Sequence, residues 1–269
     1  MDKSGKFIEI PVKSQTLPAF ILEGTLKEYS TENLHYHSCH QLLRISTGIT
    51  LLVEENKKQP LFSNMTAFIP AGLPHRSVVM GEAVHYKSIY LDGALFNPHL
   101  NDIHIFDMSE LGIALFDRID SRTIQRNDTD SLNNQCLNLL LKLMETEINA
   151  SSHITRIPVP GNPENIKITA YIEKHFHKKL KLSDFTEVLH YSERHISRIF
   201  KEDLNVSIFE YLKLYRIFKS ALMLCEKETS KTITEIAFSC GYDSLSSFYK
   251  DFKDIFSMTP KRFKHDHRK

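Results

Sequence analysis

Two groups of residues stand at spacings that can do chemistry. The first begins with His35-Tyr36-His37-Ser38-Cys39-His40-Gln41, has Gly48 after six intervening residues, and includes Pro70-Ala71-Gly72-Leu73-Pro74-His75. Two histidines two apart on a strand point to one face, because side chains alternate. A third from a neighbouring strand could complete a divalent-metal site of His35, His37 and His75, with Gln41 beside them. A neutral amide at 41 balances none of a metal's charge, so the expectation is an imidazole-lined pocket with no cofactor, and metal is the alternative. Small-molecule contacts are expected among His35, His37, Gln41, Arg44, His75 and Tyr90, with Arg44 suited to an anion. The second group lies near the end of the chain. Arg194, Ser197, Arg198 and Lys201 recur on one side of a short helix pattern, and Leu245, Ser246, Tyr249, Lys250 and Lys253 on one side of another. Arginine matches guanine O6/N7 with two parallel hydrogen bonds, leucine can meet a thymine methyl, and lysine meets phosphate.

The elements that carry the second group follow from helix signals. Ile233, Ile236 and Ala237 form one buried stripe. Thr232 with Glu235 three residues on is a capping-box arrangement. Gly241 ends that helix, Asp243 or Ser244 caps the next, and Phe248, Phe252 and Ile255 form its apolar side. Pro260 follows. A short support helix, a glycine turn and a second helix with a free polar face is a helix-turn-helix pattern. A less regular copy precedes it. Ser183 is expected to cap a helix with Phe185, Val188 and Leu189, the bend falls at His190-Tyr191, and Ser192 caps a helix with Ile196, Ile199 and Phe200 inward. Residues 208–225 read as a long helix joining the two, and Asn165 as the cap of a helix carrying Ile168, Ile172 and Phe176. Two such units on a stiff helix could enter successive major grooves, about 34 Å apart. Lys261 is a further phosphate candidate.

Ile233, Glu235, Ile236, Ala237, Gly241, Tyr242, Asp243, Ser244, Phe248, Phe252, Lys253, Phe256, Thr259, Pro260 and Phe263, in that order, resemble the signature of the AraC/XylS family of transcription regulators. Ser257 stands where the family usually has glycine, and Lys250 where it often has arginine. The resemblance covers residues 165–264 closely and the rest loosely. It implies double-stranded DNA and RNA polymerase as partners, a small-molecule effector, and a homodimer. The histidine segments resemble the two cupin motifs, departing at Gln41, where metal-binding cupins usually have glutamate.

The first group sits among short alternating or apolar runs at 19–26, 42–52, 65–69 and 84–91, within a strand-rich stretch from Phe7 to about Leu95. Turn-formers separate the runs at Thr47-Gly48, Ser63-Asn64, Ala71-Gly72 and Met80-Gly81, which suggests a sandwich or barrel. A short helix is expected at 109–117 and a longer one at 128–148. The longer helix has an apolar stripe of Leu132, Cys136, Leu139, Leu140, Leu143 and Ile148, with Leu137 and Leu141 off its centre, wide enough to bury a second side against another copy. Residues 151–165 hold three prolines and a glycine and read as a linker. The expected organisation is a multidomain α+β protein. It has a cupin-like β-barrel with flanking helices at 1–150, a linker at 151–164, and an all-α domain with two helix-turn-helix units at 165–269.

Composition bounds the function. The chain has 269 residues and a formal net charge of +1. Residues 1–161 hold 14 Lys+Arg against 18 Asp+Glu (−4), and residues 162–269 hold 20 against 15 (+5). The basic half is the one with the helix pairs. Four cysteines, Cys39, Cys136, Cys225 and Cys240, show no CxxC spacing, so a reducing compartment is expected. The N-terminus has no apolar signal-like run and no segment is long enough to span a bilayer, so a cytoplasmic protein with no membrane partner is expected. The leading reading is a DNA-binding regulator, not an enzyme. A metal-dependent cupin enzyme with an accessory helical domain is the alternative, and a DNA-binding protein whose β domain only dimerises is a third class.

Overall fold

The computed structural model describes residues 8–9, 19–26, 34–120, 131–150, 156–226 and 229–267. It divides into two compact units, residues 1–54 with 61–153, and residues 55–60 with 154–269. The architecture is mixed, with an antiparallel sheet in the first part and helices in the second.

The first unit carries β1 (Ile8–Glu9), β2 (Ala19–Leu26), β3 (His35–Tyr36), β4 (His40–Val53), the end of β5 (Lys57–Phe62), β6 (Thr66–Ile69), β7 (Arg76–Leu91) and β8 (His104–Phe106). β7 lies between β2 and β4, β6 pairs with β4, and β8 pairs with β6, all antiparallel. Among the described residues no pairing joins the outer strands, so the sheet is open. β2 matches its expected run. β4 and β7 are much longer than expected, because Thr47-Gly48 and Met80-Gly81 are not chain reversals. Both glycines lie inside strands at positive φ, 88° and 103°. The β4–β7 register shifts between Ile45 and Thr47 and again between Thr47 and Ile49, so Gly48 marks a bulge. β5 was missed because Lys57, Lys58 and Pro60 break its apolar pattern.

One face of the sheet, with Ile21, Leu42, Phe68, Ile89 and Leu91, packs against α1 (Glu110–Arg118) and α2 (Leu132–Ala150). Ser109 caps α1 by accepting from Gly112 N, and its hydroxyl donates to Glu147 of α2. Residues 128–130 of the longer expected helix lie outside the described residues. The buried stripe of α2 is Leu137, Leu140, Leu141, Met144 and Ile148. The expected stripe was therefore centred wrongly. Leu132 and Leu139 are exposed, and Cys136 and Leu143 only half-buried.

The second unit has β9 (Ile157–Pro158) and seven helices among the described residues: α3 (Pro163–His175), α4 (Leu182–Leu189), α5 (Glu193–Leu204), α6 (Ile208–Cys225), α7 (Ile233–Ser239), α8 (Leu245–Phe256) and α9 (Pro260–His267). Lys57 and Lys58 pair with Pro158 and Ile157, and Lys58 Nζ reaches Glu173 at 2.9 Å. Part of the expected linker is thus ordered strand and helix cap, while residues 151–155 lie outside the described residues. Asn162, not Asn165, caps α3, and the chain enters it through Pro163. Asn165 is buried one turn on, donating to Ile199 O and Asp203. α4 begins one residue before Ser183, and the Asp184 carboxylate accepts from Lys181 N–H at 2.8 Å. Ser192, Thr232 and Ser244 cap α5, α7 and α8 as expected, and Thr232 with Glu235 completes the capping box.

α6 packs against α5, α7, α8, α9 and β9 and is the spine of this unit. Tyr211, Tyr215, Phe218, Ala221 and Leu224 are buried along it, whereas Phe209 is exposed. Gly241 has φ 84°, and a Cβ there would lie 2.7 Å from Phe176 O and 2.8 Å from Arg216 Nη2. Both the conformation and the space exclude a side chain. Gly241→Ala is expected to cost this unit at least about 1–2 kcal/mol. Urea unfolding followed by circular dichroism measures it, and an unchanged midpoint would contradict the packing.

Candidate functional site

α4 with α5 and α7 with α8 form two helix–turn–helix pairs. The first turn places His190 at φ 58°, the left-handed conformation that glycine usually supplies. α5 buries Ile196, Phe200 and Leu204 and leaves Arg194, Arg198 and Lys201 exposed, with Ser197 half-buried. α8 buries Phe248, Phe252 and Phe256 and leaves Ser246, Tyr249, Lys250 and Lys253 exposed, with Leu245 half-buried. Every expected contact residue therefore sits on the outward side of its helix, because apolar residues four apart occupy the inward side. Phe252, Phe256 and Phe263 stack with centroids 4.6–5.2 Å apart, which seats α8 on α9.

The two arginines of α5 are not equivalent. Arg198 Nη1 donates to both carboxylate oxygens of Glu202, at 2.8 and 2.9 Å. Both side chains are more than half exposed, so the pair is worth only a few tenths of a kcal/mol and can be exchanged for another acceptor. Arg194 has no hydrogen bond or ion pair among the described residues. The N-terminal amides of α5 and α8 are partly used by Ser192 and Ser244, which accept from His195 N and Ser247 N.

Alternation splits the other expected set of residues. His37, Gln41, Ser88 and Tyr90 share one face of the sheet, and His35 joins His75 through a backbone bridge. The rings gather closely, with centroids 4.5 Å apart for His35–His75, 5.0 Å for His37–His75 and 5.1 Å for His37–Tyr90. Arg44 is three residues from Gln41, an odd step, so it lies on the opposite face, towards Asp117 at the end of α1. It does not belong with the histidines, and the expectation that grouped them is corrected.

Two rings of the histidine cluster are hydrogen-bonded, whereas His35 Nδ1 is buried without a hydrogen-bond partner among the described residues. His37 Nδ1–H donates to Cys39 O and His75 Nδ1–H donates to Leu73 O. Gln41 bridges His37 Nε2 and the Ser88 hydroxyl. Gln41 Oε1 lies 3.0 Å from His37 Nε2 and Gln41 Nε2 donates to Ser88 Oγ at 2.8 Å; a neutral His37 that donates from Nδ1 would require the amide turned about. A metal needs nitrogen lone pairs converging on one point. Here the rings pack tilted or edge-on against one another, and among the described residues no group of three or more His, Cys, Asp or Glu is placed to hold an ion. The cluster does not fit a metal site.

Burial, helped by the neighbouring imidazoles, lowers His35 to about 4 and His75 to about 3, and burial lowers His37 as well. These rings are neutral near pH 7. Because their folded pKa values lie below the unfolded value, the unfolded chain takes up protons first as pH falls below about 6.5. The first unit is expected to lose stability steadily between pH 6.5 and about 4, as its thermal midpoint would record. His75→Leu should flatten that slope, and an equal slope would contradict the assignment.

Comparison with known proteins bears on the helical part. Residues 185–266 match the family model described as "Helix-turn-helix domain". The segment is a helix-turn-helix domain. An uncharacterized HTH-type transcriptional regulator of Staphylococcus aureus (strain COL) is 32% identical over 149 residues, covering 55% of this chain and 20% of the relative. The chain thus spans about a fifth of the length of the curated relatives first matched. Among solved structures, the C-terminal domain of AraT, a response regulator from Geobacillus stearothermophilus, is 31% identical at TM-score 0.36, covering 39% of this chain and 85% of that one. ToxT from Vibrio cholerae is 15% identical at TM-score 0.39, covering 95% of this chain and 100% of that one. TM-scores this low carry no argument about the fold. Among the described residues no helix is long and apolar enough to cross a membrane, and all four cysteines are free.

Proposed function

We propose that the chain is a sequence-specific DNA-binding transcription regulator. The observation that carries this reading is the pair of helix-turn-helix units on one spine, each with a polar outward helix face, inside a matched helix-turn-helix domain. α5 and α8 enter successive major grooves. Arg194, Ser197 and Arg198 read bases from the first, and Leu245, Ser246, Tyr249 and Lys250 from the second. Lys201, Lys253 and Lys261 hold phosphates. The N-terminal unit is a cupin-like sensor of a small molecule, and RNA polymerase is the partner through which promoter binding is read out. Free cysteines and a DNA target favour the cytoplasm. The competing enzyme reading draws no support from a histidine cluster whose rings pack against one another and do not converge on one point.

The state of Arg198 and Arg194 supplies the test. Arg194→Ala should weaken specific binding by about 1–3 kcal/mol and relax preference at one position. Glu202→Gln should tighten binding, because it removes a carboxylate beside the phosphates and releases Arg198. Electrophoretic mobility shifts on a selected site measure both. Unchanged affinity and preference in Arg194→Ala would count against base reading by α5.

A second stripe of α2, with Leu132 and Leu139 exposed and Cys136 and Leu143 half-buried beside the core, alternates steps of four and three residues, which suits a helix pairing with its copy. The proposed state is a homodimer joined there. Leu139→Glu should convert it to monomer in sedimentation velocity with the fold intact, whereas an unchanged dimer would place the interface elsewhere.

A further inference from the structure

The face of the sheet opposite the histidines holds a cavity of about 280 Å³ lined by Glu23, Thr25, Arg44, Lys87, Phe116 and Asp117, among others. β2, β7 and β4 set Glu23, Lys87 and Arg44 side by side in one row, since Glu23 opposes Lys87 and Lys87 opposes Arg44. α1 closes the other wall with Phe116 and Asp117, held in place by the Ser109–Glu147 fastening of α1 to α2.

Arg44 is the anomaly in this cleft. It is 8% exposed, and its Nε has no hydrogen-bond partner. Among the described residues its polar contact is an ion pair of 3.9 Å with Asp117, which is itself 57% exposed. A guanidinium presents five donors, and burying it without partners is costly. The strand interior would be more stable with an apolar side chain of similar length. Lys87 lies beside it, half-buried, with one donor spent on Asp117 O at 2.9 Å and its ammonium 5.5 Å from the centre of the Phe116 ring. Thr25 and His85 bond to each other at the rim. A planar donor fork aimed into a cleft, with a second cation beside it and an aromatic wall behind, is the arrangement that takes a carboxylate. Glu23 and Asp117 make the lining near neutral overall, so a singly charged group is accommodated and a doubly charged phosphate is opposed.

We propose that this cleft binds a small organic monocarboxylate, its carboxylate held by Arg44 and Lys87 and its carbon skeleton laid against Phe116. The proposal rests on the reading of the N-terminal unit as a sensor and relocates sensing from the histidine face to the helix-packed face.

The test uses the full chain and its thermal midpoint in acetate, butyrate, hexanoate and benzoate, with inorganic phosphate and butanol as controls. At least one carboxylate should raise the midpoint saturably, by on the order of 5 °C at saturation, with no effect of phosphate or butanol. Arg44→Met should abolish the shift and, without ligand, melt above the natural protein. A midpoint lowered by Arg44→Met would mark Arg44 as a structural ion pair and overturn the proposal. So would a carboxylate shift that survives in Arg44→Met, an equal response to phosphate, or no saturable shift with any carboxylate. DNA affinity measured without ligand separates the two readings. Intact DNA binding with no carboxylate response leaves the regulator and removes the site, and a carboxylate response without DNA binding does the reverse.

Discussion

The guanidinium of Arg216 is the contact on which the helical unit depends. It projects from α6, donates through Nε to Phe176 O and through Nη2 to Lys178 O, each at 2.8 Å, and lies 5.9 Å from the centre of the Tyr242 ring. Phe176 is the C-cap of α3 and Lys178 lies just beyond it, where carbonyls have no helical partner, and one planar cation answers both. Gly241 turns against the same nitrogen, with no room for a Cβ. One side chain therefore joins the helix that flanks the first helix-turn-helix, the spine, and the turn of the second. If recognition helices are to meet two grooves at once, their separation must be stiff, and this junction is where the stiffness originates.

The same logic explains what could be read from residues alone. The second helix-turn-helix was legible because its signals are local: a capping box, a glycine turn, and aromatic residues four apart. The Arg216 junction was not, because its acceptors are 38–40 residues away in the chain and carry no residue signature. Caps before α3 and α4 were displaced by three and two residues, since those helices begin at Pro163 and Leu182, capped by Asn162 and Lys181, and not after Asn165 and Ser183.

In the sheet, local signals misled in a systematic way. Gly48 and Gly81 read as turns, yet both sit inside the long β4–β7 pair, where glycine permits a bulge or a twist without reversing the chain. Arg44 was grouped with the histidines by proximity in sequence, although the period of two places residues 41 and 44 on opposite faces. That parity was available from the sequence. What was not available was the cleft that α1 builds over Arg44, or the lack of hydrogen bonds around a buried charge. The centre of the α2 stripe was ambiguous for a related reason: nine apolar positions from Leu132 to Ile148 encircle much of the helix, and only packing against the sheet decides which of them face inward.

The central claim, two readers at a fixed separation, is tested most directly by selecting bound DNA from a random pool with the full chain. The account predicts two short conserved blocks with centres about one helical turn, 10–10.5 base pairs, apart. A single block, variable spacing between two blocks, or no enrichment at all would contradict it.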